Sequence, residues 1–123
     1  MNDVNDASTT VEQLKDQMRR FVKERDWEQF HDLKNLSMAV AVEAGELMDH
    51  FRWVPNTGAG DVVRDAEQAR AVRHEVADVF LLLLEFANIA GIDLAAAAAE
   101  KLEINRRKYP VETARGSARK HRA

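Results

Sequence analysis

Apolar residues recur along this chain every three to four positions, and no segment alternates apolar with polar as a half-buried strand would. Val11, Leu14, Met18, Phe21 and Val22 form the first such stripe. Thr9 followed by Glu12 reads as a capping box that opens this helix, which runs to about Glu24. Residues 25–31 make a short connection carrying Trp27 and Phe30, after which Asp32 caps a second helix that reaches about Arg52. Pro55, Asn56, Gly58 and Gly60 mark residues 54–63 as a loop. A third helix spans about Arg64 to Ala90, with Gly91 in the usual C-terminal position. Asp93 caps a fourth, alanine-rich helix that ends near Lys108, because Pro110 cannot continue it. Past that point Gly, Ser and basic residues dominate, and little regular structure is expected.

Four helices with short connections predict an all-α four-helix bundle. The third helix is apolar nearly all round, with Phe80, Leu81, Leu82, Leu83, Leu84 and Phe86 close together, more than one small bundle can cover. A second copy of the chain is expected to complete it. A length of 123 residues suits one domain, expected at 9–110 between an N-terminal tail (1–8) and a basic C-terminal tail (111–123).

No apolar run approaches the roughly 18 to 20 residues needed to cross a bilayer. The longest, Val79 to Leu84, is stopped by Glu85. The first residues lack the basic segment and apolar core of a signal peptide. The absence of cysteine excludes disulfides, a thiolate metal site and a cysteine nucleophile. A cytoplasmic protein fits these features. The formal net charge of −3 conceals an asymmetry. Arg115, Arg119, Lys120 and Arg122 crowd the C-terminal end without a single acid, and the remainder carries 14 basic against 21 acidic residues. Such a body suits cations and argues against a nucleic-acid polymer as ligand.

The acids are not scattered. Glu43 and Glu46 stand three apart on the second helix, Glu75 and Asp78 three apart on the third, so each pair shares a face. A lone pair of this kind is usually a solvated face. Here, however, Glu43 and Glu46 fall in the stripe of Leu36, Ala39, Val40, Leu47 and Met48. Glu75 and Asp78 fall in the stripe of Val79, Leu82, Phe86 and Ile89. Unpaired carboxylates facing the interior or its mouth cost roughly several kcal/mol per ion in real proteins, and no Lys or Arg occupies the neighbouring helical positions. A hard divalent cation such as Mg²⁺, which takes oxygen ligands and keeps positions open for water and phosphate, compensates them. The interior glycine Gly45, costing about 1 kcal/mol against alanine, fits a close backbone or ligand approach there. On the fourth helix Lys101, Asn105 and Lys108 share a face and suit phosphates, although an exposed charged face has the same pattern. Trp27, Trp53 and Tyr109 are candidates for stacking on a base, or core and interface anchors.

Laid out this way, the sequence resembles the all-alpha NTP pyrophosphatases, the MazG-like superfamily, whose signature is ExxE, a spacer, then ExxD. Glu43-x-x-Glu46 and Glu75-x-x-Asp78 match it with 28 residues between them. The dCTP pyrophosphatase branch resembles it most, through Glu24-Arg-Asp-Trp-Glu-Gln-Phe-His31, Glu43-Ala-Gly-Glu-Leu47, Phe51-Arg-Trp53 and Ile104-Asn-Arg-Arg-Lys-Tyr-Pro110. The likeness extends from about Phe21 to His121.

The resemblance implies a Mg²⁺-dependent pyrophosphohydrolase, with Mn²⁺ as a substitute, converting a nucleoside triphosphate such as dCTP or a modified dCTP to the monophosphate and pyrophosphate. Glu43, Glu46, Glu75 and Asp78 match the metal ligands, with Glu46 the residue expected to orient or deprotonate the attacking water. Trp27 and Trp53 match residues that enclose the base, and His31 lies in the same matched stretch as a substrate contact. Lys101, Asn105 and Tyr109 match positions that hold sugar and phosphates, and Lys101 with Lys108 is expected to steady the leaving pyrophosphate. The family forms dimers or dimers of dimers. Two positions depart from close dCTP-hydrolysing relatives: Leu82 stands where they have tyrosine and Met18 where they can have histidine, which bears on base selectivity. Two rivals remain: a non-catalytic helical module that binds nucleotide or protein, and a di-metal carboxylate bundle. The latter needs two Glu-x-x-His motifs, whereas only Glu28-x-x-His31 occurs.

Overall fold

A computed structural model describes residues 3–120, and every regular element among them is helical. The chain divides after Gly91 into two units, each considered by itself. The first holds α1 (Val11–Glu24), α2 (Leu33–Asp49), a short α3 (Ala59–Val62) and the long α4 (Ala66–Ala90). The second holds α5 (Leu94–Lys108) and a one-turn α6 (Val111–Ala114).

Local chemistry sets the helix ends. Asp32, Asp65 and Asp93 cap α2, α4 and α5, each accepting a backbone N–H from the residue three further on at 2.8–3.0 Å. Gly91 stops α4 in the left-handed region at φ 69°, where a side chain would be strained. The α1 box sits one residue later than the Thr9–Glu12 reading: the Thr10 hydroxyl oxygen accepts the Gln13 backbone N–H at 3.1 Å, and Gln13 Oε1 accepts the Thr10 backbone N–H at 2.8 Å. The Thr9 hydroxyl is instead taken by the Asn5 amide, in a turn ahead of the helix.

Other boundaries shift too. α2 ends at Asp49 rather than Arg52, and α4 begins at Ala66 rather than Arg64, because Asp65 is its cap. Residues 54–63, expected as plain loop, contain a 3-10 turn (Asn56–Gly58) and α3. Residues 111–114, expected to lack regular structure, form α6 behind Pro110; the rest of that expectation, at 121–123, lies outside the described residues. Among the described residues no single helix is long and apolar enough to cross a membrane.

In the first unit α4 packs along α2 and, less extensively, α1. Val22, Leu36, Val72, Leu84 and Ala87 are buried, as is Val62 of α3. Two charged residues join them, Lys15 and Glu85. Apolar side chains also remain outside: Val76, Phe80 and Leu83, spaced four and three apart on one face of α4, are each more than 40% exposed.

Candidate active site

Packing of α4 along α2 brings the acidic doublets together. One carboxylate oxygen from each of Glu43, Glu75 and Asp78 lies within 4.8 Å of the other two. Glu43 and Glu75 are half-buried, while Asp78 and Glu46 are exposed, so the cluster sits at the mouth of the helix pair. Glu46 stands outside the mutual group of three, but its carboxyl reaches that of Glu43.

The group is electrostatically unfavourable as protein alone. Glu43 Oε2 and Glu75 Oε2 are closed off from solvent and have no hydrogen-bond partner. A buried, unsatisfied acceptor costs about 1–3 kcal/mol, more when charged. Burial pushes the Glu43 carboxyl up to about 7. Hydrogen bonding with the Glu75 and Glu46 carboxyls and the negative charges of Glu46 and Asp78 contribute to that same rise. Two orphaned oxygens within a cluster of three or four acids fit a hard divalent cation by charge and atom type.

The other candidates fall in different parts of the chain. A cavity of about 350 Å³ opens beside the acids, lined by Gln17, Met18, Phe21, Leu81 and Leu82 together with Glu43 and Asp78. Both positions at which the sequence departs from close dCTP-hydrolysing relatives, Met18 and Leu82, therefore face this space. Trp27 is set against Phe21, one wall residue of this cavity, by the way α1 ends. Asp26 adopts the left-handed region at φ 53°, with its N–H bonded to Lys23 O, and the Trp27 N–H turns back to Val22 O at 3.1 Å. This is a Schellman ending with aspartate where glycine is commoner. It lays Trp27 edge-on to Phe21, ring centroids 5.7 Å apart, with His31 6.4 Å beyond Trp27.

Trp53 is not gathered in. It is 82% exposed, with the Arg52 guanidinium over its ring at 4.9 Å. Lys101, Asn105, Lys108 and Tyr109 belong to the second unit, where Asn105 is half-buried and accepts the Tyr109 N–H at its backbone carbonyl. Lys108 and Tyr109 also line a cleft of about 440 Å³ with Ser117, Arg119 and Lys120. Gly45 does not serve a close protein contact, since an added Cβ there meets nothing within 4 Å. Sequence reasoning did not name Gln17 or Leu81 as cavity wall. Gln17 reads as ordinary helix surface, and Leu81 is one apolar residue in a run of them.

No family model matches the chain. It is 38% identical over 115 residues to dCTP pyrophosphatase 1 of Bos taurus, covering 94% of this chain and 68% of that protein. It is also 38% identical over 112 residues to dCTP pyrophosphatase 1 of Homo sapiens, covering 91% of this chain and 66% of that one. The chain belongs to the dCTP pyrophosphatase family. It thus spans about two thirds of the length of these relatives. A crystal structure of a pyrophosphatase from Archaeoglobus fulgidus superposes with a TM-score of 0.75 at 32% identity, covering 88% of this chain and 99% of that one. Both comparisons support nucleoside triphosphate pyrophosphohydrolase activity in this dCTP pyrophosphatase family member.

Proposed function

We propose that this chain hydrolyses dCTP, or a base-modified dCTP, to the monophosphate and pyrophosphate in a Mg²⁺-dependent reaction. The observation that carries the reading is the convergence of Glu43, Glu75 and Asp78, two of whose oxygens are buried without a partner. Glu43, Glu46, Glu75 and Asp78 hold the ion, for which Mn²⁺ substitutes. When bound, Mg²⁺ supplies positive charge that neutralises the triphosphate. Glu46, exposed and touching Glu43 through its carboxyl, orients the attacking water and takes its proton.

The base enters the apolar cavity beside the acids, with Trp27 and His31 at its edge and Leu82 and Met18 in its wall. Trp53 encloses the base from a second side. Lys101 and Lys108 steady the phosphates, with Asn105 and Tyr109 at the sugar; these assignments rest on residue type and the family resemblance. The catalytic domain is 9–110, acting in the cytoplasm on the nucleotide pool. Two or four copies associate through the exposed Val76, Phe80 and Leu83 face, whose exposure is unusual for a solvated helix.

Pyrophosphate release from a panel of nucleoside triphosphates, with Mg²⁺ and with chelator, tests the reaction. Chelator-sensitive formation of pyrophosphate and a monophosphate, with dCTP or a modified dCTP leading the panel, is the expected result. Tight binding without turnover would instead make the chain a binding module. Sedimentation of the same sample should give a species well above the 13.9 kDa of one chain; a monomer at micromolar concentration would remove the assembly from the proposal.

A further inference from the structure

Glu85 is more deeply buried than any other charged residue described, at 2% exposure, and the chemistry above does not use it. It lies seven residues past Asp78 on α4, on the same face two turns along. Its two oxygens have separate partners. Asn88 Nδ2 donates to Oε1 at 3.3 Å, and His31 Nδ1 stands 3.4 Å from Oε2.

The orientation of Asn88 is fixed independently of Glu85. Its Nδ2 also donates to the Lys15 carbonyl at 2.9 Å, and its Oδ1 accepts from Arg19 Nη2 at 2.8 Å. A carbonyl can only accept and a guanidinium only donate, so the amide cannot be flipped. The N–H of Asn88 is thereby committed to Oε1, and Oε2 is left to His31. A carboxylate offers acceptors, so the imidazole carries its proton on Nδ1. When the ring is neutral, its Nε2 then presents a lone pair. The His31 side chain is 18% exposed, which leaves part of the ring open beside Trp27.

We propose that Glu85, braced by Asn88, is a positioning residue that sets the tautomer of His31. Through it, the base site favours a nucleotide whose base carries an exocyclic amino group over one with a carbonyl in its place. Cytosine presents an amino donor where uracil presents an oxygen acceptor, and an accepting Nε2 satisfies only the first. The selectivity half rests on the assignment of His31 to the base under the proposed function. The tautomer half stands without it.

Glu85→Gln, nearly isosteric, tests both. Asn88 still donates toward the same place, so the glutamine must turn its carbonyl there and its NH₂ toward His31. Nδ1 then becomes the acceptor, and the proton moves to Nε2. Imidazole ¹⁵N spectra at alkaline pH, with His31 assigned by its loss in His31→Gln, should show Nδ1–H in the wild type and Nε2–H in Glu85→Gln. The dCTP to dUTP ratio of kcat/KM should fall about tenfold, the value of one well-placed hydrogen bond. A merely structural role would lower both substrates together and leave the ratio alone. A wild-type His31 in the Nε2–H form overturns the positioning role, and that spectrum does not depend on the Glu85 variant folding. An unchanged tautomer in a folded Glu85→Gln overturns it equally. A tautomer that inverts while the ratio stays constant overturns the selectivity half and removes His31 from the base contacts.

Discussion

Glu75→Gln is expected to lower turnover by about 10³-fold, on the scale of losing a key electrostatic group, while making the metal-free protein more stable. The two effects have one origin. Glu75 contributes a buried oxygen without a donor, beside Glu43, which has another. Glutamine removes one negative charge from the group and brings an NH₂ that can donate to Glu43 Oε2. Satisfying one such acceptor is worth about 1–3 kcal/mol. Metal affinity suffers in the same stroke, because a neutral amide replaces a carboxylate among ligands that converge within 4.8 Å. Steady-state pyrophosphate release and thermal melts, with Mg²⁺ and with chelator, read all three quantities. The wild type should melt higher with Mg²⁺ than without, and Glu75→Gln should lose that difference while melting above the wild type in chelator. A variant that is both inactive and less stable in chelator would show that Glu75 holds the fold rather than a cation. Conserving function at the expense of stability is a common signature of active-site groups.

The helices were readable because their signals are local. Asp65 is passed over for a helix start near Arg64, whereas the other two aspartate caps, Asp32 and Asp93, follow from spacing, each bonding the residue three ahead. The same holds for Gly91, whose φ of 69° is what glycine there implies. Where two solutions of equal local quality compete, local reading fails. Thr9–Glu12 and Thr10–Gln13 both fit a capping box, and the choice depends on Asn5, which engages the Thr9 hydroxyl from outside the helix. The proximity of the doublets was legible in outline, since acids set in apolar stripes must meet something when α2 and α4 pack. The remainder depends on tertiary partners that periodicity does not report. Lys15 reads as the polar flank of α1 and Glu85 as an interruption of an apolar run, yet both are buried. Asn88, three residues past Glu85, carries no sequence signal that it ties α4 to the Lys15 carbonyl 73 positions away. Trp53 has the chemistry for a base contact, and nothing in its local sequence reports its 82% exposure past the end of α2 at Asp49.

The stability of the metal-free protein should fall as pH rises through the range in which Glu43 ionises. In the unfolded chain this carboxyl titrates near 4.5, and in the fold it is pushed up to about 7. Below 4.5 both states hold the proton, and the group contributes no pH dependence. Between the two values the folded state keeps a proton that the unfolded chain releases, so rising pH favours unfolding. Above about 7 both are ionised and the penalty is complete, on the order of 3 kcal/mol at 1.36 kcal/mol per unit. The cause is burial first, then the neighbours Glu75, Glu46 and Asp78. Glu43→Gln cannot ionise at this position. Its stability in chelator should therefore gain on the wild type by about that amount, again ~3 kcal/mol, between pH 5 and pH 8, as denaturant unfolding at each pH would show. Saturating Mg²⁺ should flatten the wild-type curve, because cation binding displaces the proton and gains strength as pH rises. Parallel wild-type and Glu43→Gln curves in chelator would mean that the acids lie apart in solution and share no charge penalty. Divergence in chelator that closes with Mg²⁺ would tie the cost of assembling the acids to the ion they are built to hold.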